Sequence, residues 1–95
     1  MKNKLIYTFE DDLRESLKDP KFREAWRESE PEYLLAKQLI ELRLKKKISQ
    51  RNLAKKLKTT QAVISRIETM SANPSLSLLK RIAGALDSRI MLSFR

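Results

Sequence analysis

Residues 49–68, Ser-Gln-Arg-Asn-Leu-Ala-Lys-Lys-Leu-Lys-Thr-Thr-Gln-Ala-Val-Ile-Ser-Arg-Ile-Glu, decide the fold of this chain. Leu53, Leu57, Ile64 and Ile67 are its apolar positions, so two short helices joined by a tight turn are expected to close on one another through these side chains. Ala54 is small where the second helix must cross nearby. Polar residues occupy the opposite side, and the second helix presents Gln61, Ala62, Ser65 and Arg66 outward. Amide and guanidinium donors beside small side chains suit close approach to the base edges of a DNA groove.

Outward from this stretch, the same start signals recur. Ser49, Thr59 and Thr60, and Ser75 behind Asn73 and Pro74 predict helices over 50–57, 61–69 and 76–86, with Pro74 holding Asn73 extended. Upstream, Leu35, Leu39 and Leu42 form a stripe with Ala36 and Ile40 beside it, which predicts the longest helix over 31–46, opened by Ser29, Glu30 and Pro31. Asp19 before Pro20 starts a shorter helix with Phe22, Ala25 and Trp26 on one face. Phe9, Leu13 and Leu17 recur every four positions and predict another, capped by Thr8 with Asp11 closing the box and preceded by an extended Leu5, Ile6 and Tyr7. In 89–95, Ile90, Leu92 and Phe94 alternate with polar neighbours, the two-residue period of a half-buried strand. That strand needs a partner, either residues 5–7 or the tail of a second subunit. The expected fold class is all-α: about six helices with a short C-terminal β-strand.

The 95 residues carry 21 Lys+Arg against 12 Asp+Glu, a formal charge of +9, and 41% apolar residues suffice for one small core. No apolar run approaches the roughly 20 residues that span a bilayer, and no signal-peptide region opens the chain, so a soluble cytoplasmic protein without membrane contact is expected. With no Cys and no His, disulfides, thiolate and imidazole catalysis and the usual zinc sites are excluded. The single Gly rules out glycine-rich phosphate loops. We expect no enzyme activity, no catalytic residues, no metal and no cofactor. Asp11, Asp12 and Glu15 are the only dense carboxylate group, and they read as a solvated face at a helix start. Charge is divided unevenly. Residues 1–32 hold 7 Lys+Arg and 9 Asp+Glu, whereas 33–95 hold 14 Lys+Arg and only Glu41, Glu68 and Asp87, a net of +11. Such a field attracts a phosphate backbone. RNA readers usually expose aromatics for base stacking, and the only one in 34–95 is Phe94, which its alternation points inward.

At these residues the chain resembles the XRE, or phage Cro/C1-type, helix-turn-helix family. The likeness runs from about Leu39 to Leu86 and includes the Ile40-Glu-Leu-Arg43 helix end, Ile48-Ser-Gln50, Ala54, Thr60-Gln61, Ile64-Ser-Arg-Ile-Glu68 and Asn73-Pro-Ser-Leu76. It implies a lambda-repressor-like bundle over 31–88 that binds double-stranded operator DNA as a homodimer. It assigns Gln61 and Ala62 to base edges, Gln61 bidentate to adenine and buttressed by Gln50. Arg66 goes to a guanine or a phosphate, and Ser49, Thr60, Ser65, Lys47 and Lys58 go to phosphates. Members of the family often carry Gly at the positions of Lys47 and Lys58, where helices end on a left-handed residue.

The acidic front, 1–30, is surplus to such a repressor. Phe9, Asp12, Leu13, Leu17, Phe22 and Trp26 supply an apolar centre with an acidic rim, suited to a basic protein partner, unless they pack on the chain's own bundle. Acidic helices, a long helix near Glu30-Pro-Glu-Tyr33, the helix-turn-helix and a terminal strand together resemble HigA-type antitoxins. That resemblance implies hetero-oligomers with a small basic RelE/HigB-like ribonuclease toxin, neutralisation of it, and repression of the chain's own operon. The alternative is a stand-alone repressor with no toxin partner.

Overall fold

The computed structural model describes the backbone of residues 4–94 and the side chains from Glu10 to Phe94. Among the described residues five helices follow one another: α1 (Lys4–Ser16), α2 (Pro20–Lys45), α3 (Gln50–Lys56), α4 (Gln61–Glu68) and α5 (Leu76–Ala85). Four of them start where the polar residues direct. The Asp19 side chain accepts from the Lys21 amide at 3.0 Å, with Pro20 at the first helical position, where a missing amide costs nothing. Ser49, Thr60 and Ser75 accept from the amides of Asn52, Val63 and Leu78 at 3.0, 3.4 and 3.0 Å.

The ends of α2, α3, α4 and α5 share one device. Lys47, Lys58, Met70 and Asp87 take left-handed backbone angles, φ 55°, 55°, 64° and 53°. The next amide then turns back to the helix: Ile48 to the Arg43 carbonyl, Thr59 to Ala54, Ser71 to Arg66 and Ser88 to Ala83, at 2.8–3.0 Å. This closure satisfies carbonyls that helix ends leave open. None of the four is glycine, so each stores steric strain between its Cβ and the backbone.

Leu39 of α2, Leu53, Ala54 and Leu57 of α3, Ile64 and Ile67 of α4, and Ile82 and Leu86 of α5 form one buried cluster. Leu53 and Ile64 are wholly buried, and removing such a side chain from water stabilises by roughly 1.5–3 kcal/mol. The Arg81 guanidinium also donates to the Leu57 carbonyl, tying α5 to the end of α3. At the front, α1 folds back on α2. The Tyr33 hydroxyl donates to Glu10 Oε1 at 3.3 Å, and the Lys37 ammonium pairs with the same carboxylate.

Three expectations are corrected. First, α1 begins at Lys4, so residues 5–7 are helical and Thr8 lies inside the helix rather than capping it. Second, the helices expected from Pro20 and from Pro31 are one helix, giving five rather than six. Pro31 has no N–H to donate to the Arg27 carbonyl, so one hydrogen bond of the helix is missing. Side-chain contacts bridge the gap: Trp26 packs edge-on against Tyr33, centroids 4.9 Å apart, and the Ser29 hydroxyl donates to the Trp26 carbonyl at 3.2 Å. The boundary expected between 30 and 31 therefore falls inside α2. Third, among the described residues there is no strand, and the tail is irregular. Its candidate partner within the chain, residues 5–7, is helical, so no ladder forms between the two segments. Phe94 accordingly lies fully exposed rather than inward, as do most of Met91 and Leu92. Among the described residues no helix is long and apolar enough to cross a membrane.

Candidate nucleic-acid interface

The left-handed Lys58 ends α3 and Thr60 caps α4, so only residues 57–60 separate the two helices. Ile64 and Ile67 point α4 into the core and leave the opposite face outward. Gln61, Ala62 and Arg66 are exposed there, while Ser65 is half-buried. Thr60 and Ser49 are exposed at the starts of α4 and α3. Their oxygens accept the cap bonds, which leaves each hydroxyl hydrogen available to donate to an anion. Lys47 and Lys58 are exposed at two of the four left-handed turns, those that end α2 and α3.

Gln50 joins these elements. It is half-buried, and its Oε1 accepts from Gln61 Nε2 at 3.3 Å. Its own Nε2 donates to Glu68 Oε1 at 3.0 Å. Glu68 is also bound by Arg43, whose Nε donates to Oε2 at 2.8 Å and whose Nη2 donates to Oε1 at 3.0 Å. This fork-to-fork pair is shielded, with side-chain exposures of 13% for Arg43 and 5% for Glu68. Arg43 Nη1 donates further to the Ile48 carbonyl at 3.1 Å. Glu68 is thus committed to Arg43 and Gln50, and among the described residues Arg66 has no carboxylate partner. Sequence reasoning omitted Arg43 and Glu68 from the site. The available signal was that Glu68 is one of three acids in a strongly basic segment, and an isolated acid there points to a specific cation.

The acidic front presents a different surface. Phe22 and Trp26 stack with centroids 6.5 Å apart and planes 9° apart, and Trp26 meets Tyr33, giving an aromatic ladder along α2. Phe22 and Asp12 are exposed, and Trp26, Leu13 and Leu17 are half-buried. The Phe9 side chain lies outside the described residues. Beside the ladder, a groove of about 460 Å³ runs between α2 and the loop after α4, with Glu28 and Glu32 on its α2 wall and residues 70–73 opposite. Burial pushes the Tyr33 phenol above its ordinary value; Lys37 opposes this and Glu10 adds to it. The hydrogen bond to Glu10 holds the Lys37 ammonium above its ordinary range, against burial.

Residues 39–91 match the helix-turn-helix family model. The chain is similar to Antitoxin HigA1 of Mycobacterium tuberculosis, strain ATCC 25618 / H37Rv and strain CDC 1551 / Oshkosh. Each is 36% identical over 74 residues, covering 78% of this chain and 50% of the relative. The chain therefore spans about half the length of the curated relatives it matches. No solved structure matches it significantly. With its two capped helices, four-residue turn and buried Leu53–Ile64 core all inside the matched segment, the chain belongs to the helix-turn-helix family.

Proposed function

We propose that this chain is a non-enzymatic antitoxin that binds duplex operator DNA through α4, represses its own operon as a homodimer, and neutralises a basic ribonuclease toxin with its N-terminal hairpin. The observation that carries the DNA reading is the Gln50–Gln61 pair at the start of α4, anchored on Glu68, with Ala62 and Arg66 exposed along the same helix. Gln61 and Ala62 read base edges and Gln50 buttresses Gln61. Arg66 takes a guanine or a phosphate, and Ser49, Thr60, Ser65, Lys47 and Lys58 take phosphates. In this reading 31–88 forms the DNA-binding unit and 1–30 the extension that meets the toxin.

The antitoxin reading is supported by the reach of the likeness to HigA1. A match of 74 residues within 95 begins no later than residue 22, so it takes in the part of α2 that precedes the helix-turn-helix. The toxin surface we propose comprises Phe9, Asp12, Leu13, Leu17, Phe22 and Trp26, an apolar ladder in the part of the chain that is net acidic. A toxin that holds RNA is basic and would be repelled by the basic portion of this chain but attracted to this one.

A stand-alone repressor is the second reading. It is favoured by the half-burial of Leu13 and Leu17, as expected if the front merely completes the bundle. Co-expression with the product of the adjacent reading frame separates the two. The antitoxin reading expects a co-purifying complex and rescued growth, both lost in Asp12→Lys/Phe22→Ala. A homodimer that binds its promoter and ignores the neighbouring product would contradict it.

A further inference from the structure

The hydrogen-bond chain behind Gln61 has a direction, and Glu68 imposes it. A carboxylate only accepts, so Glu68 can meet the NH2 of Gln50 and never its carbonyl oxygen. Gln50 therefore turns its oxygen toward Gln61, where only the NH2 of Gln61 can meet it. What remains on Gln61 is one N–H and the carbonyl oxygen, a donor beside an acceptor. In the major groove adenine offers N7 as acceptor and its N6 amino group as donor, the complement of that pair. Guanine offers N7 and O6, two acceptors, and would set oxygen against oxygen. Arg43 engages both Glu68 oxygens, which keeps the carboxylate from rotating away.

We propose that Glu68, clamped by Arg43, is a positioning residue that acts through Gln50 to fix the donor–acceptor polarity of Gln61, and so selects adenine over guanine at one operator position. The proposal rests on the reading that Gln61 touches a base.

The test is selection from a randomised duplex library, followed by binding measurements on the selected duplex and its single-position variants. The position read by Gln61 is the one at which Gln61→Ala loses its preference. Wild type is expected to favour adenine over guanine there by about tenfold or more, and Glu68→Gln, whose carboxamide can present either end to Gln50, by under about threefold. Glu68→Gln leaves Arg43 poorly matched, so Arg43→Met/Glu68→Gln, which removes the buried charges together, is measured beside it, with helicity checked by circular dichroism. Affinity for a random-sequence duplex should stay within about threefold of wild type, whereas a purely structural role would lower both affinities. Introducing Glu68→Gln into Gln50→Ala should change the preference no further, because the path through position 50 is already cut. Retention of the adenine preference by the folded double variant, while Gln61→Ala loses it, overturns the relay alone. If Gln61→Ala matches wild type at every position, the base-contact reading and the relay both fall.

Discussion

Replacing Lys58 by glycine separates backbone strain from charge at one residue. Lys58 holds φ 55° because the Thr59 amide must return to the Ala54 carbonyl, 2.9 Å away, to close α3. A left-handed L-residue costs about 1–2 kcal/mol. The freedom that glycine adds to the unfolded chain offsets about 0.4–1 kcal/mol of the relief. Lys58→Gly should therefore stabilise by a net of about 0.5–1 kcal/mol, which raises Tm by roughly 2–8 °C in a domain of this size. Toward DNA the change has the opposite sign. If Lys58 neutralises one phosphate, the slope of log K against log salt becomes shallower by about 0.9, and affinity falls most at low salt. Thermal melting by circular dichroism gives the first quantity, and anisotropy of a labelled promoter duplex across a salt series gives the second. A lower Tm would refute the strain argument. A raised Tm with an unchanged slope would remove Lys58 from the phosphate contacts.

Gln61→Ala and Arg66→Ala should each weaken binding to the promoter duplex by about 1–3 kcal/mol with unchanged melting, since neither side chain contributes to the core; equal affinities would remove them from the interface. Arg43→Ala should cost about 3–5 kcal/mol in urea unfolding, because Glu68 is left as a buried charge without its cation; a loss below about 1 kcal/mol would show that the pair is effectively solvated. Tyr33 and Lys37 both have raised values, so the folded hairpin holds their protons more tightly than the unfolded chain does. Their contribution is complete below the ordinary values of 10.0 and 10.5 and is lost as pH rises through the raised ones. Tyrosinate beside Trp26 quenches its emission, so the fluorescence titration should break above pH 10.0 and lose that step in Tyr33→Phe; a Tyr33-dependent midpoint at or below 10.0 would contradict the burial of the Tyr33 hydroxyl and its bond to Glu10.

The helix-turn-helix was legible because its determinants are local. Ser49, Thr60 and Ser75 cap within three residues, and Leu53, Leu57, Ile64 and Ile67 repeat at helical spacing, so pattern and packing agree. The Gln50–Gln61 pair was implied by the resemblance to the helix-turn-helix family, not by any pattern in the spacing. What was not legible depends on distant partners. Pro31 reads as a break from its own chemistry, and contacts such as Trp26 against Tyr33, the Ser29 hydroxyl on the Trp26 carbonyl and the seating of Tyr33 and Lys37 on Glu10 span the break. Ile90, Leu92 and Phe94 alternate as a strand would, yet alternation supplies no hydrogen-bond partner. Arg43 and Glu68 are 25 residues apart, and no local pattern records which cation a lone acid will meet.

The central claim is that the outward face of α4 distinguishes one duplex from another. Anisotropy of the purified chain with its own promoter duplex and with a scrambled duplex of equal length and composition, at physiological ionic strength, tests it most directly. The account predicts that the promoter is held about 10³-fold or more tighter, and that Gln61→Ala narrows the gap. Equal affinities for the two duplexes would contradict it.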